Sequence, residues 1–152
     1  MRLTYFTDFA LRALMRLAGE PARSFATSEI AAEFGISRNH LAKVVRNLAD
    51  AGFITTQRGA GGGFTLARPP SSITLGEVVR KLEGEALVEC FRDDGGACVL
   101  TPRCRLKARL AAAREAFMRE LDGTTLAECA YPAGPKARAK ARAKASPLRG
   151  AA

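Results

Sequence analysis

The sequence predicts a mainly α protein with a small β-hairpin wing: a winged helix-turn-helix followed by a long C-terminal helix. Three observations carry that prediction. Two helix-periodic stretches meet at Gly35. Two short strand-like runs separated by glycines follow directly. Apolar positions then recur at helical spacing from Pro102 to about Leu121.

Ala10, Leu11, Leu14 and Leu17 fall on one helical face between Thr7 and Leu17, and Gly19 and Pro21 end the run. "TSEIAAEFG" gives a short second helix that stops at Gly35. In "ISRNHLAKVVRNLADAG", Ser37 is the expected N-cap and Gly52 lies just past the end. Leu41, Val44, Val45 and Leu48 occupy i, i+3, i+4 and i+7 and predict a buried stripe, opposite Asn39, Lys43, Arg46, Asn47 and Asp50. Phe53–Thr56 and Phe64–Leu66 read as strands, joined through Gly59, Gly61, Gly62 and Gly63 as a wing. Thr74 and Glu77 have capping-box spacing at the head of "TLGEVVRKLEG".

A loop is expected from Gly84 to Leu100. Thr101 and Pro102 then read as N-cap and first residue of the long helix. Cys104 would fall in its first turn, where helix amides and Arg103, Arg105 and Lys107 favour a thiolate. Leu106, Leu110, Ala113, Phe117 and Leu121 line one side of this helix, more apolar surface than so small a body covers. The expectation is a homodimer packed through it. The domains are therefore 1–83, the winged helix-turn-helix; 84–131, the cysteine loop and dimerisation helix; and 132–152, a basic tail.

The 152 residues carry a net charge of +9, distributed unevenly. No acid follows Glu128, whereas Lys136, Arg138, Lys140, Arg142, Lys144 and Arg149 all do, so these six leave +3 for the rest. The tail alternates alanine with cations and offers no apolar stripe, which predicts disorder. It reads as a loose attractor of phosphates or as a solubilising extension. No apolar run reaches the roughly 18 residues of a membrane span. Asp8, Arg12 and Arg16 interrupt any signal-peptide profile, so a cytoplasmic location with reduced thiols is expected. The chemistry of an enzyme is missing as well. The glycine run lacks the Gly-Lys-Ser/Thr ending of a phosphate loop, and the single histidine, His40, has no nucleophile suggested beside it.

The outer face of the third helix has the chemistry of double-stranded DNA recognition. Arginine and asparagine read base edges in the major groove and lysine contacts phosphate. Arg38, Asn39 and His40 sit near the helix start with Ser37 before them; Lys43 and Arg46 follow, and Arg58 in the wing is placed for a minor groove. Cys90, Cys98 and Cys104 form a separate constellation, with seven and five residues between them. Soft thiolate ligands suit an iron–sulfur cluster or zinc, although the close Cys-x-x-Cys pairs usual for structural zinc are absent. A thiol redox sensor and inert cysteines remain open on spacing alone. Cys129 stands apart and reads as a packing residue.

"MRLTYFTDFALRAL", "SRNHLAKVVRNLADAGFI", "RGAGGGFTL", "ITLGEVVRKLEGE" and "VECF…CVLTPRCRLK" together resemble the winged-helix iron–sulfur regulators that include the NsrR, IscR and RirA branches, over residues 1–131. Thr7-Asp8, Ser37-Arg38-Asn39-His40 and Thr101-Pro102 before Cys104-Arg105-Leu106-Lys107 are most similar to the nitric-oxide-sensing NsrR branch. Lys107 stands where the IscR branch has a histidine ligand, and the RirA branch shares a similar acidic cysteine loop. The resemblance implies a cluster, of the 4Fe-4S rather than the 2Fe-2S type, held by Cys90, Cys98 and Cys104. It implies an oxygen ligand matching Asp8, supplied across the dimer, although Glu89, Asp93 and Asp94 are closer along the chain. The function implied is a repressor, bound as a dimer to a palindromic operator and released when nitric oxide attacks the cluster. An iron-responsive RirA-like regulator, a metal-free thiol redox regulator and a zinc-stabilised DNA-binding module are the alternatives.

Overall fold

The structure, a computed structural model, describes residues 3–57, 59, 62–84, 88–92, 94, 96–100 and 103–132. Arg58, Asp93, Thr101, Pro102 and the tail beyond Pro132 lie outside the described residues. The elements in chain order are α1 (Tyr5–Gly19), α2 (Thr27–Phe34), α3 (Arg38–Asp50), β1 (Ile54–Gln57), β2 (Gly63–Leu66), α4 (Leu75–Leu82) and α5 (Arg105–Asp122). Short 3-10 turns at Pro70–Ser72 and Glu89–Phe91 flank α4. Among the described residues, five α-helices and one two-stranded antiparallel hairpin make this a winged helix-turn-helix, as the sequence predicts.

Local chemistry sets the boundaries. Gly35 adopts φ 64° and ψ 29°, a left-handed conformation that costs a residue with a Cβ, and it ends α2 so that the chain can turn into α3. Ser37 then caps α3, its hydroxyl accepting the His40 N–H at 3.2 Å. The predicted stripe of Leu41, Val44, Val45 and Leu48 is buried and packs α3 into the core with Leu14 and Leu17 of α1 and Ile30 of α2. Thr74 caps α4 by accepting the Glu77 N–H, while the Glu77 carboxylate turns to Arg68.

The hairpin pairs Ile54 with Leu66 and Gln57 with Gly63, and the Thr55 and Thr65 hydroxyls lie 3.0 Å apart across it. Two strands of four residues are marginal in water alone. Here Phe25, between α1 and α2, adds a further rung: its N–H donates to the Phe64 carbonyl at 3.0 Å, and its carbonyl accepts the Phe64 N–H at 2.9 Å. Both rings are buried.

The C-terminal part folds back on this body. Arg80 of α4 and Asp122 of α5 form a forked ion pair. Thr74 bridges Thr125, and the Leu126 N–H donates to the Ile73 carbonyl at 2.8 Å, which seats the Leu126 side chain in the core. Full burial of a leucine contributes about 1.5–3 kcal/mol. The Tyr131 N–H donates to the Met15 carbonyl at 2.8 Å and its ring packs 6.1 Å from that of Phe34. Gly19 makes this passage possible, because a Cβ there would overlap the Tyr131 carbonyl.

One expectation for α5 is corrected. The helix begins at Arg105, with Cys104 as its N-cap in an extended conformation (φ −79°, ψ 106°), so Cys104 is not inside the first turn. Just ahead of it the Arg103 N–H donates to the Leu100 carbonyl at 3.1 Å. The side chain that α5 buries is Met118, whereas Leu106 is 62% exposed and Leu110, Phe117 and Leu121 are half-buried.

Candidate nucleic-acid interface and cysteine loop

Because the apolar stripe fixes how α3 rolls, the opposite face points outward. Arg38, Asn39, His40, Lys43 and Arg46 are all exposed, and Ser37 sits at the helix start. Among the described residues no acid pairs with Arg38, Lys43 or Arg46, so these cations are available to phosphates and base edges. Asn47 is committed locally, donating to the Lys43 carbonyl at 3.0 Å.

A groove of about 360 Å³ separates α3 from the wing, and Thr27, Ser28, Arg38, Thr56 and Gln57 line it. The hydroxyl and amide groups of Thr27, Ser28, Thr56 and Gln57 are suited to the sugar-phosphate backbone. Sequence reading missed them, because small polar residues at a helix start and on a strand carry no distinguishing pattern. Arg38→Ala and Asn39→Ala should each weaken binding to the preferred duplex by about 1–3 kcal/mol and binding to random duplex much less. Equal losses on both duplexes, measured by fluorescence anisotropy, would remove the base-reading role.

The support beneath this surface centres on Arg16, the only fully buried charged residue among the described residues. Its Nε donates to both Glu33 oxygens at 3.0 Å, and Nη2 donates to Glu20 at 2.8 Å. The Arg16 guanidinium also lies 4.7 Å from the centre of the Phe25 ring, with Arg23 at 4.4 Å. This network ties α1, α2 and the wing rung together. The sequence offers one local sign, the Arg16–Glu20 spacing; the Glu33 contact is not visible in it.

The cysteines occupy the segment between α4 and α5. Cys90 lies in the 3-10 turn, Cys98 in irregular chain and Cys104 at the α5 cap, and all are free and partly exposed. Among the described residues, no three His, Cys, Asp or Glu side chains converge as a metal group. Asp94 is occupied by Arg92 and the Gly96 N–H, both at 2.9 Å. Asp8 stands in the first turn of α1 and pairs with Arg12 at 2.7 Å. That turn is clasped at the root of the loop: Glu83 accepts from the Thr4 N–H at 2.7 Å and the Thr4 hydroxyl at 2.9 Å. Burial raises the Glu83 pKa, but hydrogen bonds from Thr7 and Thr4 outweigh it and hold the carboxyl below its ordinary value. Three free, accessible thiols on one segment are a donor set suited to a thiolate-bound centre. Val99 and Leu100 beside them are 90% and 66% exposed, an apolar edge continuous in sequence with the cysteines.

A family model described as Rrf2, an iron-dependent transcriptional regulator, matches residues 3–131. Staphylococcus aureus CymR in an oxidised form is similar at 27% identity, with 88% of this chain and 99% of that chain covered and a TM-score of 0.69. CymR (YrzC), the global cysteine regulator of B. subtilis, is similar at 30% identity, with 83% and 93% covered and a TM-score of 0.65. T. potens IscR shares the fold at 23% identity, with 99% and 94% covered and a TM-score of 0.68.

Proposed function

Since the chain belongs to the Rrf2 family of transcriptional regulators, we propose that it is a dimeric repressor whose grip on operator DNA is set by an iron–sulfur cluster and released by nitric oxide. It is a DNA-binding regulator and not an enzyme. The observation that carries the finer reading is the set of three free, partly exposed thiols, Cys90, Cys98 and Cys104, in the sequence context of the NsrR branch.

In this reading the three cysteines hold the cluster as thiolates, with Asp8 of the partner subunit as an oxygen ligand. When bound, a cluster would supply iron open to a small diatomic ligand, and the Asp8 carboxylate would be its most readily exchanged ligand. Arg38 and Asn39 read the palindrome from α3, Lys43 and Arg46 contact phosphates, Arg58 enters a minor groove, and α5 packs on its copy to set the spacing of the two heads. Glu83 links the loop to α1, and Arg16 links α1 to α2, so these residues couple the loop to the reading head. Four ligands suit a 2Fe-2S or a 4Fe-4S cluster alike, and the NsrR resemblance favours the four-iron type. No described helix is long and apolar enough to cross a membrane.

A second reading has its own support. The similar S. aureus CymR is described in an oxidised form, and in this chain the thiols are free and accessible. A metal-free regulator would then switch by oxidation of Cys90, Cys98 or Cys104.

The deciding experiment titrates anaerobically purified protein on operator DNA with nitric oxide, with an iron chelator and with peroxide in parallel. Release by stoichiometric nitric oxide, with bleaching of the visible absorption, is expected. Release by chelator alone would replace this reading with an iron-responsive one. Colourless protein released only by peroxide would establish the thiol reading.

A further inference from the structure

We propose that α5 pairs antiparallel with the α5 of a second copy, and that Glu120 of each subunit seats between Arg105 and Arg109 of the other. The inference rests on the α5 dimer proposed above and adds its direction, its register and the ion pairs that select them. Two independent observations carry it, one of position and one of charge.

The body of each subunit holds α5 by its C-terminal end. Met118 is buried, and Leu126 beyond the helix sits in the core. Asp122 pairs with Arg80 and lies so close to Gly76 that a Cβ there would overlap its carboxylate. Between Arg105 and Phe117 no side chain is buried. At 1.5 Å per residue these positions make a helical arm of about 20 Å. Leu106, 62% exposed, and the half-buried Leu110, Phe117 and Leu121 mark one side of the helix. That row is symmetric about the point between Ala113 and Arg114. An antiparallel copy therefore sets Leu106 against Leu121 of the partner subunit, and Leu110 against Phe117 of the partner subunit. It also keeps the two bodies at opposite ends of the pair, whereas a parallel copy would crowd both at one end.

The charge selects the same arrangement. No acid occurs from Gly95 to Arg114, and the acids of α5, Glu115, Glu120 and Asp122, all lie in its C-terminal half. Its first turn holds cations and no acid, against the helix dipole. Arg105 and Arg109 are exposed, one turn apart and mutually repulsive. Neither has an acid three or four residues away along α5, and the exposed Glu120 has no cation at those spacings. Among the described residues none of the three forms an ion pair. On a helix turning about 100° per residue they share one flank of the leucine row. The two-fold axis of an antiparallel pair brings like flanks together. In the register above, Glu120 of the partner subunit stands level with Lys107, about 3 Å along the axis from both Arg105 and Arg109. Long side chains bridge the roughly 8–10 Å between packed helix axes. In a parallel pair the same residues would meet their own copies as like charges.

The test follows dimer dissociation of the full chain, purified anaerobically, by sedimentation equilibrium at low salt, where exposed charges are least screened. Glu120→Arg should weaken the dimer by about tenfold or more, because two attractive sites become repulsive. Arg105→Glu combined with Arg109→Glu should do the same. Mixing the two variants should restore the wild-type affinity as a heterodimer, since each brings the charge the other lacks, a recovery that misfolded chains would not show. An unchanged dissociation constant for Glu120→Arg overturns the antiparallel register, because in a parallel pair Glu120 faces its own copy and reversal exchanges one repulsion for another. Weakened variants that fail to recombine overturn it as well. A wild-type chain that stays monomeric overturns the α5 dimer itself and leaves the cysteine reading to its own titration.

Discussion

Arg16→Met is expected to destabilise the protein by about 3 kcal/mol, read as a shift in the urea midpoint at constant slope. The guanidinium is fully buried and makes charge-assisted hydrogen bonds to Glu33 and Glu20, each worth more than a neutral one. It also stacks on Phe25. Methionine keeps much of the volume, so little of the loss comes from a cavity. The abandoned carboxylates are partly exposed, Glu33 at 21% and Glu20 at 34%, so water reclaims them and the cost stays at the lower end for a broken buried pair. Adding Glu33→Gln should therefore cost less in the Arg16→Met background than in the wild type. A loss below about 1 kcal/mol for Arg16→Met would show that α1 and α2 hold together without the network.

Cys90→Ala, Cys98→Ala and Cys104→Ala should each abolish both iron retention and signal-dependent release from DNA. Cys129→Ala should leave both intact, because Cys129 lies in the turn after α5 and outside the loop. To move operator occupancy from 99% to 1%, the signal must shift the equilibrium by about 5.5 kcal/mol, so even partial uncoupling is measurable. The three thiols are partly exposed, which predicts that the variants keep their helical circular dichroism and melt within about 0.5 kcal/mol of the metal-free wild type. That separates a ligand role from a structural one. Full iron content in any one of the three variants would remove that cysteine from the ligand set.

Much of this was legible in the sequence. α2, α3, α4 and both strands lie within about a residue of their expected limits, because each is bounded by a local device: Gly35, Ser37, Thr74 or the glycines of the wing. The outward face of α3 follows from the same logic, since a four-residue stripe leaves one way to roll the helix. What escaped depends on distant partners. Arg16 reads as a charge interrupting an apolar run, and only Glu33 and Phe25, brought in by tertiary structure, make its burial tolerable. Phe25 is a one-residue bridge without strand periodicity, and Leu126 belongs to no periodic run at all. Thr101 and Pro102 have the composition of a helix start but lie outside the described residues, and the described helix begins at Arg105. Cys90, Cys98 and Cys104 are the residue type a soft-ligand site needs, but periodicity does not specify how side chains on an irregular loop converge.

The rung between Phe25 and Phe64 has a mechanical consequence. It fixes the base of the wing to the same packed unit that carries α3, with two backbone hydrogen bonds and two buried rings. If α3 and the wing are the two contacts with a duplex, as proposed, they are the jaws of one caliper whose base is joined when the chain folds. To the extent that this bridge holds the two together, the elastic work of fitting an imperfect groove falls on the DNA. Sequences with deformable steps at the untouched positions then become better targets than stiff ones with the same contacted bases.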